Sequence, residues 1–167
     1  MSDLPNPSAQ CRRRLLERLR ETAPGCIQLL TGPRQVGKTT LLLEIAEQFG
    51  EDAGYAAGDE PDAALPGFWE RRWAEAEDRA RRGRAVLLLD EVHHLGVWAA
   101  RLKGQRDLLH RRHLPLYVVA AGSSALSVAT GSRESSAGRS PLRLKLILVP
   151  AVCEPPALLG SEYRAPR

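Results

Sequence analysis

Apolar positions along this chain follow two alternating rhythms, one helical and one of short continuous runs. Over residues 11–20, Leu15, Leu16 and Leu19 recur at helical spacing, and Pro24-Gly25 then breaks the pattern. Residues 26–30 form a short apolar run entering Thr31-Gly32. Residues 39–49 carry Leu42, Leu43, Ile45, Ala46 and Phe49 before Gly50 stops them, so the whole reads as strand, loop and helix. Tyr55 and its small neighbours predict a second strand ending at Asp59, Pro61 and Pro66 mark loops, and residues 69–82 read as a helix. The apolar runs at 85–89 and 116–121 fit strands buried on both faces, with a crossover helix over 97–109 between them. After a Gly/Ser-rich stretch at 131–140, Leu142, Leu144, Leu146 and Leu148 alternate with Arg143, Lys145 and Ile147, the period of a strand. Pro150, Pro155, Pro156 and Pro166 predict little regular structure in the tail.

Strands alternating with helices predict an α/β fold with a mainly parallel sheet and right-handed crossovers. In such sheets ligands bind beyond the carboxyl ends of the strands. Those ends are where the polar chemistry of this sequence gathers. Gly32-Pro33-Arg34-Gln35-Val36-Gly37-Lys38-Thr39 matches GxxxxGK[ST] at every fixed position, and it lies between the required strand and helix. Its glycines let backbone curl around phosphate oxygens, and amides from Val36 to Thr40 can turn inward at the positive end of the helix. Pro33 has no N–H and stiffens the loop without donating. Lys38 is the expected partner of the β- and γ-phosphates of ATP, and Thr39 the expected hydroxyl ligand of Mg²⁺. The fold class is therefore a three-layer P-loop NTPase. Residues 1–25 are expected to be a lead-in helix, 26–150 the ATPase domain and 151–167 an irregular tail.

Further candidates follow at the later strand ends. Leu87-Leu88-Leu89-Asp90-Glu91 has the form of a Walker B strand, in which Asp90 supports Mg²⁺ and Glu91 polarises the attacking water. Ser123 or Ser124 either contacts the γ-phosphate or merely caps a Ser-rich turn. Arg139 is either an arginine finger or a surface arginine. His93-His94 and His110-x-x-His113 have no nearby Cys partners and lie among arginines, which argues against a zinc site.

Composition narrows the class without naming a client. The chain has 167 residues, 43% hydrophobic and 26% charged, as expected for one globular domain. No apolar stretch approaches a membrane span and the first residues have no signal-like pattern, so a cytoplasmic protein is expected. Cys11, Cys26 and Cys153 are widely spaced and form no disulfide or zinc pattern. The net charge is +4, and all the basic residues but Lys38, Lys103 and Lys145 are arginine. A basic balance allows DNA as a partner, yet no aromatics are interleaved with the arginines, so solvated helix faces explain them as well.

Taken together, GPRQVGKTTLL, Tyr55 with Asp59 and Pro61, LLLDEVHH, Trp98 with Leu102-Lys103 and Asp107, AAGSSA and SRESSAGR are a familiar series. The chain resembles the bacterial and archaeal AAA-like ATPases that usually carry a nuclease-related C-terminal domain of unknown function. The resemblance spans about residues 13–150. It implies the additional-strand class of P-loop ATPase, binding ATP and Mg²⁺, with Ser123 and Arg139 responding to nucleotide. Ser136 stands where the family usually has leucine, the stretch 139–150 is longer than usual, and the downstream domain has no counterpart, so the chain is expected to be the ATPase half alone. The leading expectation is an ATP-hydrolysing switch, with a homo-oligomer among its expected partners. A small-molecule kinase and a non-catalytic nucleotide-binding module or truncated remnant are the alternatives.

Overall fold

The computed structural model describes residues 7–21, 27–123 and 145–148. Helix α1 (Pro7–Leu19) precedes strand β1 (Ile27–Gly32), helix α2 (Lys38–Phe49) and strand β2 (Ala53–Ala57). Helix α3 (Phe68–Arg82) leads to β3 (Ala85–Asp90), α4 (Trp98–Arg112) to β4 (Leu116–Ser123), and β5 (Lys145–Leu148) follows. The strands form one sheet in the order β2-β3-β4-β1-β5, and every pairing is parallel. Strand β4 thus lies between the phosphate-loop strand β1 and the acidic strand β3, which is the additional-strand arrangement.

Alternation along the central strands assigns the two faces. Ala85, Leu87 and Leu89 of β3 pack with Phe68, Trp69, Trp73, Ala76 and Ala80 of α3 and with Leu102 and Leu109 of α4. Val86 and Leu88 face the other way, into a cluster with Leu41, Leu42 and Ile45 of α2 and Cys11, Leu15 and Leu19 of α1. Burial on both faces is why β3 and β4 read as unbroken apolar runs rather than alternating ones. Helix α1 belongs to the packed core, since Leu15 and Leu19 are fully buried. Burial pushes the Cys11 thiol up from its ordinary value, and Arg14 partly opposes this.

The element boundaries differ slightly from the sequence pattern. Strand β2 ends at Ala57 rather than Asp59: the Gly58 N–H on the Asp90 carbonyl is its last link to β3, and the chain then turns, with the Glu60 N–H on the Ala57 carbonyl at 3.4 Å. Helix α4 begins at Trp98, one residue after Val97, which takes a left-handed conformation, and runs on to Arg112. Several arginines on the helix faces are matched locally: Arg72 with Glu75, Arg81 with Asp78, Arg101 with Glu70 and Arg112 with Glu77. Among the described residues no helix is long and apolar enough to cross a membrane.

Candidate functional site

The carboxyl ends of β1, β3 and β4 bring the sequence candidates to one edge of the sheet. Gly32 is the last residue of β1 and is in register with Ser123, the last residue of β4. Asp90 ends β3, one step beyond Leu89, which is in register with Ala120. Arg139 and Ser124 lie outside the described residues.

The loop from Pro33 to Gly37 is shaped by local backbone conformation. Gln35 and Gly37 both adopt positive φ, at 63° and 85°. Positive φ at alternating positions turns successive amides toward one concave side, which is the basis of an anion nest. Pro33, Arg34 and Gln35 are exposed, whereas Val36 is buried in the α1–α2 cluster and anchors the loop to the core. Helix α2 starts at Lys38, and its first turn closes with the Leu41 N–H on the Gly37 carbonyl at 2.9 Å. Thr39 and Thr40 are exposed on that turn. Lys38 is only 5% exposed. Its Nζ donates to the carbonyls of Gly32 at 3.2 Å and Pro33 at 2.6 Å, so the ammonium sits inside the loop with neutral partners.

Across the edge, Asp90 is 1% exposed. Its Oδ1 accepts the Glu91 N–H at 2.8 Å and its Oδ2 accepts the Tyr55 hydroxyl at 3.3 Å. Among the described residues it forms no ion pair. Burial first, then the Asp90 charge and the hydrogen bond to it, with smaller contributions from Glu60 and Asp59, pushes the Tyr55 phenol up from its ordinary value. The hydroxyl therefore stays protonated at neutral pH and remains a donor.

Glu91 opens a single 3₁₀ turn, Val92–His94, from a left-handed conformation with φ 45° and ψ 41°. For a non-glycine residue this is a strained conformation. Gly58 is the neighbour that accommodates it, since a Cβ there would lie 2.6 Å from the Glu91 carbonyl oxygen. The Glu91 Oε2 lies 3.2 Å from His93 Nδ1, close enough for an ion pair. The contact is not a hydrogen bond, and His93 Nδ1 has no hydrogen-bond partner among the described residues. Tyr55, Gly58 and His93 were not placed at this site by motif. Only the short spacing of His93 from Glu91 was visible in the sequence.

A buried cation and a buried carboxylate, each held by neutral groups, thus flank the strand ends beside a loop shaped to receive an anion. The model of the AAA domain family matches residues 25–150. The chain belongs to the AAA domain family. The match covers the phosphate-loop strand, the acidic strand and the whole described sheet, so the nucleotide-binding ATPase class and the P-loop NTPase fold follow from it together with the topology. Curated proteins yielded no match to the chain.

Proposed function

We propose that this AAA domain binds ATP with Mg²⁺ and hydrolyses it, acting as a molecular switch. The observation that carries the reading is the pair of buried charges, Lys38 and Asp90, at one edge of the sheet, neither with an ion-pair partner among the described residues. Leaving an ion buried without an opposite charge costs several kcal/mol even after relaxation. A polyphosphate beside Lys38 and a hard cation beside Asp90 and the Thr39 hydroxyl would remove both costs, and oxygen donors of this kind suit Mg²⁺.

Within this reading, the amides of Gly32 to Thr40, with Pro33 contributing only stiffness, hold the phosphates, and Lys38 adds a charge-assisted contact. Mg²⁺ supplies neutralisation of charge that builds on the phosphate oxygens. Asp90, kept in one orientation by Tyr55 and by the Glu91 amide, supports the cation's position. Glu91 polarises water for in-line attack, which requires its carboxylate to swing from His93 toward the phosphate edge. Ser123, in register with Gly32, is assigned to sensing the γ-phosphate. Arg139 is assigned to completing the site, in its own chain or as an arginine finger in a second copy.

The deciding experiment is phosphate release from ATP by the purified chain, with Mg²⁺ and with no acceptor. Acceptor-independent release that disappears without Mg²⁺ is expected. Tight binding without release would favour a non-catalytic module, and release only with an added acceptor would favour a kinase. Mixing Arg139→Ala with Lys38→Ala protein tests the trans arrangement: recovered activity is expected if a second copy supplies Arg139.

A further inference from the structure

We infer that Glu91, His93 and His94 form a binding site for a divalent transition-metal ion of the zinc class, distinct from the Mg²⁺ position, and that metal bound there arrests the ATPase by holding the Glu91 carboxylate. The arrest rests on the reading of Glu91 as the group that polarises water. The binding does not.

The site is built by one turn. Glu91 is the N-cap of the turn and His93 and His94 are its last two residues, so all three side chains come from four consecutive positions. The turn is held by the His94 N–H on the Glu91 carbonyl and the Leu95 N–H on the Val92 carbonyl, both at 3.0 Å, and by Val92, which is fully buried. His93 and His94 lie with ring centroids 4.3 Å apart and planes tilted by 40°. One ligand atom from each of Glu91, His93 and His94 lies within 4.8 Å of the others. A tetrahedral ion with metal–ligand distances of about 2.0–2.1 Å sets its donors roughly 3.4 Å apart. The Glu91–His93 separation of 3.2 Å already suits this, and His94, whose ring is exposed, closes the set by side-chain rotation.

A second observation points the same way. His93 Nδ1 is buried at the atom level, faces a carboxylate, and makes no hydrogen bond among the described residues. A metal ion satisfies that nitrogen and the carboxylate at once. Two imidazoles with one carboxylate favour zinc-class ions over Mg²⁺, whose preferred donors are oxygens, so ordinary Mg²⁺ does not fill the site. No cysteine lies near the histidine pair in sequence, which argues against a structural zinc but not against this set. A carboxylate from the acidic strand end supplies the third ligand and leaves a fourth position open.

The test uses the whole metal-free chain. Zn²⁺ is titrated without nucleotide, and Co²⁺ is used as a spectroscopic stand-in that reports coordination geometry. Zn²⁺ binding is expected, with Co²⁺ giving a spectrum of low coordination number. His93→Ala and His94→Ala are each expected to weaken Zn²⁺ affinity at least tenfold, while His110→Ala is expected to leave it unchanged. His94 is exposed, so loss of binding in that variant with an unaltered circular dichroism spectrum does not reflect unfolding. No binding, or binding lost in His110→Ala but kept in His94→Ala, overturns the site. With Zn²⁺ held by a metal buffer, turnover of MgATP is expected to fall with little change in KM, and His94→Ala is expected to raise the inhibiting Zn²⁺ concentration at least tenfold. Zn²⁺ binding that depends on His93 and His94 but leaves turnover intact keeps the site and overturns the arrest, and with it the role given to Glu91.

Discussion

The phosphate loop and the acidic turn face each other across β4, and they are built in opposite ways. The loop is a continuous segment whose shape comes from its own residues: positive φ at Gln35 and Gly37, the helix beginning at Lys38, and the lysine bonded back to carbonyls five and six residues earlier. The acidic turn depends on distant parts of the chain. Its buried carboxylate is oriented by Tyr55 from β2, and its strained Glu91 fits because Gly58 has no side chain. A locally determined element survives changes in its surroundings, whereas an element assembled from several strands responds to each of them. Binding should therefore follow the loop, and turnover should follow the turn and its neighbours.

The largest expected effect is on turnover. Glu91→Gln keeps the side chain's shape but removes its charge, so phosphate release should slow by about 10²–10⁴-fold while ATP affinity holds. Parallel nucleotide titration and phosphate-release assays measure the two quantities, and equal losses in both would erase the contrast between the regions. On the loop side, Lys38→Ala removes charge-assisted contacts worth about 1.5–3 kcal/mol each and should weaken ATP binding tenfold or more. Unchanged affinity in that titration would move phosphate binding away from the loop.

Gly58→Ala sharpens the comparison, because it alters the acidic turn from the residue that follows β2, which the motif does not include. The new Cβ would meet the Glu91 carbonyl oxygen at 2.6 Å, a backbone atom with little freedom to move. Overpacking of this kind costs about 1–3 kcal/mol. A lower denaturation midpoint and reduced turnover are expected, with ATP affinity less affected than in Lys38→Ala.

The smallest effect belongs to Tyr55→Phe, which removes one donor from Asp90 at a long 3.3 Å and should cost about 1 kcal/mol. A few-fold rise in the Mg²⁺ concentration needed for half-maximal turnover would report it. The raised phenol also links stability to pH. A group that holds its proton more tightly when folded contributes stability that is complete below its unfolded value of 10.0 and is lost as pH rises toward the folded value. Wild-type stability should therefore decline above pH 10.0 more steeply than that of Tyr55→Phe, as read by denaturant midpoints.

Much of this architecture was legible in the sequence because its signals are local. A GxxxxGK[ST] loop between a strand and a helix carries its geometry in eight consecutive residues. The unbroken apolar runs of β3 and β4 mark strands covered on both faces, and the apolar positions at helical spacing mark α1 and α2. The end of β2 lies two residues before the end that the apolar pattern predicts, because its pairing with β3 stops at Asp90 and the chain turns through Gly58 and Asp59, and where a partner strand ends is not written in the local pattern.

The sequence by itself determined the order of the elements, the phosphate loop and the acidic pair at the end of an apolar strand. The place of β4 between β1 and β3 is what the family resemblance implied, whereas only the tertiary structure decided that Ser123 stands beside Gly32 and that Tyr55 and Gly58 meet the acidic turn. It also brought one ligand atom each of Glu91, His93 and His94 within 4.8 Å of one another at the turn that Glu91 opens. The difference is one of range. Backbone propensity and hydrophobic period are set by neighbouring residues, whereas strand order and the company kept by a buried charge are set by how both faces of the sheet are covered at once.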